Sequence, residues 1–283
     1  MLRIAIQNKG RLNEDSMTLL REAGISVKSD KRKFIAEATN FPVEILFLRD
    51  DDIPQTVSMG VADIGIVGMN EVKEKGYRVD MIKQLGFGGC RLSLAIPKAE
   101  NYTGLQYFSG KRIATSYPSI LRAYFDENNI SADIHTIAGS VEIAPASGLS
   151  DAIFDIVSSG STLVSNGLKE VESVMTSEAV LIGNPKIESE KKAVVDKLLF
   201  RFEAVERGTR RKYLLMNLPK SSLPAMEKIL PAMRSPTVMP LAQEGWCAVH
   251  SVVLDDELWD KIDQLKEIGA EGILVLPVEK IIL

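Results

Sequence analysis

The 283-residue sequence predicts an α/β fold, with two lobes and a smaller ferredoxin-like unit at the carboxyl end. Three observations predict it. Leu2–Gln7 reads as a strand, Asn8, Lys9, Gly10 and Arg11 as a turn, and the residues up to about Ala23 as a helix, which opens an α/β unit. Ala152–Val157 carries the β-branched run of a strand buried in a parallel sheet, then gives way at once to Ser158, Ser159, Gly160, Ser161 and Thr162. From Lys212 onward the elements follow in the order βαββαβ, the ferredoxin-like succession.

In the first lobe, Asn13 or Asp15 is placed to cap the opening helix. Residues 34–38 and Val43–Leu48 have strand patterns, with Pro42 between them. Asp52 is placed to cap a helix over 54–59 that has Pro54 in its first turn. Residues 64–67 read as a buried strand, and Gly65 and Gly68 permit close backbone approach. Gly86, Gly88 and Gly89 make a flexible join before a strand over 92–96, and we read it as a hinge into the second lobe.

In that lobe, strands over 112–114 and 134–137 flank a helix over 119–128, and residues 143–149 form a helix or turn. After the Ser158–Thr162 loop a helix over 163–174 is expected, although Gly167 weakens it. A strand over 180–182 precedes a long helix over 189–207. Its Val194, Val195, Leu198, Leu199 and Phe202 fall at helical spacing, so it faces a core and is expected to return to the first lobe. In the terminal unit, strands over 212–217, 237–240, 248–254 and 273–278 alternate with helices over 222–230 and 256–268, the last stopped by Gly269. Such a unit suits a small-molecule sensor or an oligomerisation module. The sequence shows no internal repeat.

The net charge of −4 gives no electrostatic case for nucleic acid, which calls for a basic domain. Cys90 and Cys247 lack the spacing of a disulfide framework or metal knuckle, so each is expected to be a buried free thiol. The first residues read as a strand rather than a signal peptide, and no apolar run approaches the roughly 20 residues of a membrane span. The expectation is a cytoplasmic protein without a membrane partner. His135 and His250 lie in predicted strands with no second ligand at metal spacing, so they are read as packed or surface residues and no protein metal site is assigned.

The chemistry concentrates at the loop. Ser158, Ser159, Gly160, Ser161 and Thr162 carry little bulk and many donors, so their backbone N–H groups and hydroxyls can approach a phosphate closely. Asp155, just before them, can accept hydrogen bonds from two ribose hydroxyls. A ribose 5-phosphate fits that pair of features; a polar turn with a solvated aspartate is the alternative. Lys9 and Arg11 sit at the carboxyl end of the first strand, where open α/β sheets meet their ligands. Arg49 ends another strand and can pair with phosphate bidentately. Asp50, Asp51 and Asp52 are read as capping and solvated residues rather than a magnesium site.

The loop resembles the 5-phosphoribosyl 1-diphosphate (PRPP) loop of phosphoribosyltransferases, many of which have two adjacent acids before it. Here Phe154 precedes Asp155, and the nearest other acid is Asp151. Further landmarks narrow the resemblance: Asn8 to Leu12, Arg49 with Asp52 to Pro54, Gly60 to Gly65, Gly139 to Glu142, and Ser235 to Leu241. Taken in order they resemble the long form of the ATP phosphoribosyltransferase family, over essentially the whole chain.

That resemblance implies a two-lobed catalytic core like a type II periplasmic binding protein, plus a C-terminal ferredoxin-like (ACT-like) regulatory domain. The implied division is residues 1–90 with 181–208, 91–180, and 209–283. It implies condensation of ATP with PRPP to N1-(5-phosphoribosyl)-ATP and diphosphate, the first step of L-histidine biosynthesis, with Mg²⁺. It assigns Asp155, Glu142 and Arg49 to catalysis, and Asp151, Asp155, Ser158, Ser159, Gly160, Ser161 and Thr162 to PRPP. Lys9, Gly10, Arg11 and Arg49 are assigned to ATP and polyphosphate. Asn217, Ser235 and Thr237 are assigned to the inhibitor histidine, with AMP as a further inhibitor and a homo-oligomer, dimer or hexamer, as the working form. The competing readings are a non-catalytic solute-binding protein and a regulatory paralogue with the same two-lobe fold.

Overall fold

The structure is a computed structural model that describes residues 1–28, 34–230 and 235–283. The chain divides into two compact units, Met1–Thr18 with Ser26–Val194 and Leu19–Ile25 with Val195–Leu283.

The first unit opens with β1 (Leu2–Gln7), α1 (Arg11–Glu22), β2 (Ile35–Glu37) and β3 (Val43–Leu48). It continues with α2 (Ile53–Ser58), β4 (Ile64–Gly68), α3 (Met69–Lys75) and β5 (Asp80–Gln84). The chain then crosses into β6 (Cys90–Pro97), β7 (Arg112–Thr115), α4 (Pro118–Glu127) and β8 (Asp133–Thr136). β9 (Ala152–Val157), α5 (Ser161–Ser165) and β10 (Leu168–Ser177) follow, and β11 (Ala179–Gly183) crosses back.

These strands make two sheets, ordered β2-β3-β1-β4-β11-β5 and β10-β6-β9-β7-β8. Beyond the edge strand β2, the first sheet runs β3, β1, β4, then β11 from the returning crossover, then β5. Reversed, the second sheet runs β8, β7, β9, then β6 from the outgoing crossover, then β10. The inserted strand is antiparallel to its neighbour in each case, β11 against β4 and β6 against β9. Two lobes of one topology joined by two crossovers are therefore built from a sequence with no visible repeat.

β9 is not in an all-parallel sheet as its composition suggests: it pairs parallel with β7 and antiparallel with β6. Burial on both faces, not parallel pairing, sets its apolar run. Phe154 is fully buried against Leu92, Leu94, Phe108 and Phe125 on one face. Ile153 and Val157 pack on the other face with Ala95, Ala114, Val141 and Leu163. Gly65 is explained as expected, because a Cβ there would stand 2.7 Å from Ile53 Cγ2 and bar α2 from β4.

The helix expected over 163–174 does not form. Gly167 takes φ +71 and ends α5 after five residues, and the chain turns into β10. Two bulges, between Glu170 and Glu172 and between Ser173 and Met175, reset the side-chain alternation. They bring Val171, Val174 and Met175 onto one core, which imitates helical spacing. Asp52 does not cap α2, since its backbone is helical and its side chain makes no cap bond. Neither Asn13 nor Asp15 caps α1, which starts at Arg11; Asn13 Nδ2 instead donates to the Gln7 carbonyl at 2.6 Å. α3 and β5 are elements the sequence reading does not contain.

α6 (Ser189–Thr209) spans the boundary between the units. The terminal unit continues with β12 (Arg211–Pro219), α7 (Leu223–Ile229), β13 (Thr237–Pro240), β14 (Trp246–Leu254), α8 (Leu258–Glu267) and β15 (Glu271–Pro277). Its sheet has the order β13-β14-β12-β15, all antiparallel, the ferredoxin-like arrangement. Leu214, Met216 and Leu218 share one face of β12 and bury against Met226 of α7 and Leu265 of α8. Gly269 ends α8 at φ +91, as its position predicts.

Candidate functional site

β9 delivers the loop. Its last apolar residues leave the core as Val157 stays buried and Ile156 becomes 41% exposed. Ser158 follows, and Gly160 adopts φ +79, a conformation in which other residues are strained. The Ser159 and Ser161 hydroxyls are 2.9 Å apart, and Val164 N–H donates to the Gly160 carbonyl at 3.1 Å. Among the described residues the amides of Ser158, Ser159, Gly160 and Thr162 donate to no protein acceptor. A run of free N–H groups around a left-handed glycine is an anion-binding concavity. The short α5 adds little dipole, so the loop amides carry the attraction.

Asp155 shares a face of β9 with Ile153 and Val157, and its Oδ1 accepts from Ile156 N–H at 2.8 Å. Burial pushes its carboxyl up to about 6, against the lowering effect of that amide, and the negative charge of Glu142 adds to the rise. Glu142 lies in a short 3-10 turn, Val141–Ile143, entered through two left-handed residues, Gly139 at φ +84 and Ser140 at φ +52. A non-glycine residue there stores backbone strain beside the carboxylate pair.

A cleft of about 280 Å³ separates the lobes. Gly10, Arg11 and Asp50 from the first lobe, Cys90 at the crossover, and Ile156 and Ser158 from the second all line it. Arg11 and the loop therefore share one space. Lys9 is exposed on the same turn as Gly10. Arg49 is exposed at the end of β3 and donates from Nε to Asp51 at 3.1 Å, while Asp51 also meets Lys75 at 3.7 Å. The aspartate run thus neutralises neighbouring cations, and Asp50 accepts from Gln7 Nε2 at 3.3 Å.

Asp151 is not brought to the loop. It precedes β9 while the loop follows it, and six strand residues span roughly 20 Å. Its carboxylate is committed to Arg112, accepting from the backbone N–H at 2.9 Å and from Nη2 at 2.8 Å. Those bonds hold it down at about 2. Phe154, where many phosphoribosyltransferases have an acid, belongs to the core instead. Cys247 is a buried thiol, but Cys90 is only half-buried and faces the cleft, with burial pushing it up.

Sequence reasoning missed a polar network joining the lobes. Tyr117 donates to Glu71 Oε1 at 2.9 Å, Asn70 Nδ2 donates to Glu71 Oε1 at 3.1 Å, and Ser177 donates to Asn70 Oδ1 at 2.8 Å. Glu74 accepts from Ser119 and Ile120 N–H, both at 3.0 Å, and so caps α4 from the opposite lobe. Burial pushes the Glu71 carboxyl up, against the Tyr117 hydrogen bond. Pairs separated by 46 residues leave no spacing signal in a single sequence.

In the terminal unit, register places Asn217 and Thr237 on the face away from the helices. Asn217 pairs with Ala248, whose other partner is Met239; Leu215 pairs with His250, whose other partner is Thr237. Ser235 is exposed ahead of β13, its hydroxyl donating to the Pro236 carbonyl at 3.4 Å. His250 Nδ1 and Tyr213 Oη are 2.6 Å apart on that face, a pair the sequence reading did not foresee. His135 is paired with Asp133 at 2.8 Å. Among the described residues no cluster of three or more acidic, histidine or cysteine side chains could hold a metal, and no helix is long and apolar enough to cross a membrane.

The repeated sheet order, the paired crossovers and the cleft between them define a two-lobed α/β cleft protein with an added ferredoxin-like unit. The chain belongs to the ATP phosphoribosyltransferase family, whose pattern matches residues 49–204, and residues 209–280 match the HisG C-terminal domain. It is similar to ATP phosphoribosyltransferase of Bacteroides thetaiotaomicron, 60% identical over 282 residues and all of both chains. The Phocaeicola vulgatus ATP phosphoribosyltransferase is likewise 60% identical, over 283 residues and all of both chains. Among solved structures it resembles the ATP phosphoribosyl transferase (HisG:HisZ) complex from Thermotoga maritima, with 31% identity and a TM-score of 0.62. That match covers 72% of this chain and 99% of the other.

Proposed function

We propose that this chain condenses ATP with PRPP to N1-(5-phosphoribosyl)-ATP and diphosphate, the first step of L-histidine biosynthesis. The observation that carries the proposal is the amide-lined loop at the cleft, with Gly160 left-handed and a raised carboxylate, Asp155, immediately before it. Membership of the family supplies the reaction class.

In this reading the amides and hydroxyls of Ser158 to Thr162 hold the PRPP 5-phosphate, and Asp155 accepts hydrogen bonds from the ribose hydroxyls. Adenine N1 presents its lone pair to ribose C1. The N1–C1 bond forms as the C1–O bond breaks, and that electron pair leaves on diphosphate. Adenine N1 needs no strong general base, which agrees with a cleft lined by carboxylates, Arg11 and backbone amides. The work of the protein is alignment and charge stabilisation. Lys9, Arg11 and Arg49 face the polyphosphates, with Gly10 leaving backbone room beside them. Arg49 exchanges Asp51 for a phosphate without losing an anionic partner.

Magnesium commonly takes one or two carboxylates and completes its shell with substrate phosphates and water. The Asp155 and Glu142 carboxylates, near enough that the Glu142 charge adds to the rise that burial causes in Asp155, fit that role and would hold Mg²⁺ carried by the diphosphate. The ion supplies charge neutralisation to the leaving group when bound.

The proposed division assigns residues 1–90 with 181–208 and residues 91–180 to the two catalytic lobes, and residues 209–283 to regulation. Histidine is proposed to bind the helix-free face that carries Asn217 and Thr237, with Ser235 ahead of it. AMP is proposed to compete at the cleft, and a homo-oligomer in the cytoplasm is the proposed working form. Diphosphate release from ATP, PRPP and Mg²⁺, with a new near-ultraviolet absorbance from the adduct, is the expected result. No release with both substrates present would overturn the reading.

A further inference from the structure

The loop is tied to the neighbouring strand through one carbonyl. Arg91 of β6 stands opposite Val157 in register, and its Nη1 donates to the Ser158 carbonyl at 3.2 Å. The other edge of the same guanidinium, Nε and Nη2, is gripped by both carboxylate oxygens of Glu170 on β10. Ser93 Oγ donates to Glu170 at 2.8 Å and fixes that carboxylate in turn. Arg91 is thus aligned on one side and committed to the loop on the other, with its charge matched by Glu170.

A trans peptide is planar, so its carbonyl and the following N–H point in opposite directions. A guanidinium that holds the Ser158 carbonyl on the β6 side must turn the Ser159 amide to the other side. We propose that Arg91, aligned by Glu170, is a positioning residue for phosphate recognition. It sets the Ser158–Ser159 peptide so that the Ser159 amide faces the 5-phosphate, and does not touch the phosphate itself. The proposal rests on reading the Ser158 to Thr162 loop as the phosphate site.

The test uses the full chain with Arg91→Lys, Glu170→Gln, the double variant, and Gly160→Val as the control on the loop. Calorimetric affinity for ribose 5-phosphate, separate KM values for PRPP and ATP, and melting temperature are measured. Arg91→Lys and Glu170→Gln are each expected to weaken ribose 5-phosphate and raise the PRPP KM about tenfold or more, as for a lost charge-assisted hydrogen bond. The ATP KM should hold, and the double variant should be no worse than the worse single. If Glu170→Gln binds as well as or better than the parent while Arg91→Lys binds worse, Arg91 contacts the phosphate directly and the proposal fails. It also fails if both KM values rise together with a fall in melting temperature. If both variants bind normally while Gly160→Val does not, the positioning role is wrong and the loop reading stands. If Gly160→Val binds normally, the loop reading itself is lost and the positioning role with it.

Discussion

Asp155 and Asp151 are four residues apart and opposite in character. Asp155 sits in a half-buried place beside another carboxylate, so its charged form is disfavoured and it titrates at about 6. An acid raised on folding stabilises most below its unfolded value, near 4, and that contribution is lost as pH rises through about 6. Asp155→Asn should therefore melt no lower than the parent at pH 8 while losing PRPP affinity. In the parent, the PRPP KM should rise as pH falls below about 6, where the ribose-facing carboxylate takes up a proton; a flat profile between pH 5 and 8 would exclude that role. Asp151 is held low by Arg112, so its contribution is present above about 4 and lost as pH falls toward about 2. Because the pair is partly exposed, Asp151→Asn should cost no more than about 1 kcal/mol in denaturant melts. Its PRPP KM should match the parent, whereas a PRPP-binding Asp151 would raise it.

At the scale of elements, β1, β3 and β9 were legible because their apolar runs are buried in the sheets. β10 was not, because its two bulges place Val171, Val174 and Met175 on one side at a spacing that reads as a helix. The loop was legible because its small residues stand next to an apolar strand. The cross-lobe network of Glu71, Tyr117, Asn70 and Ser177 was not, because it is assembled by folding from three distant segments. That network makes its own prediction. Glu71→Gln keeps an acceptor for Tyr117 and Asn70 but removes a charge that burial disfavours. The parent loses stability as pH rises through the raised Glu71 value, and the glutamine variant should show a shallower loss as pH rises above the ordinary carboxylate range in thermal melts. A steeper loss would mean that the carboxylate is stabilising as an anion.

For the whole molecule, the two lobes repeat one topology and the terminal unit has its own sheet and core, so the proposed chemistry and the proposed histidine inhibition can be tested by separate substitutions. Asn217→Ala with Thr237→Ala should raise the half-inhibiting histidine concentration by about tenfold or more, the worth of one or two hydrogen bonds, at unchanged kcat. Undiminished inhibition would move the histidine site elsewhere. The expected two-lobe architecture followed from the order of landmarks along the chain. The duplicated strand order became visible only in the sheets, since topology can repeat while side chains diverge.

The most direct measurement is a crystal structure of the protein with PRPP and Mg²⁺. The predicted result places the 5-phosphate within hydrogen-bond reach of the Ser159, Gly160 and Thr162 amides, with the ribose hydroxyls on Asp155. A PRPP molecule bound elsewhere in the cleft, with those amides facing solvent, would contradict the account.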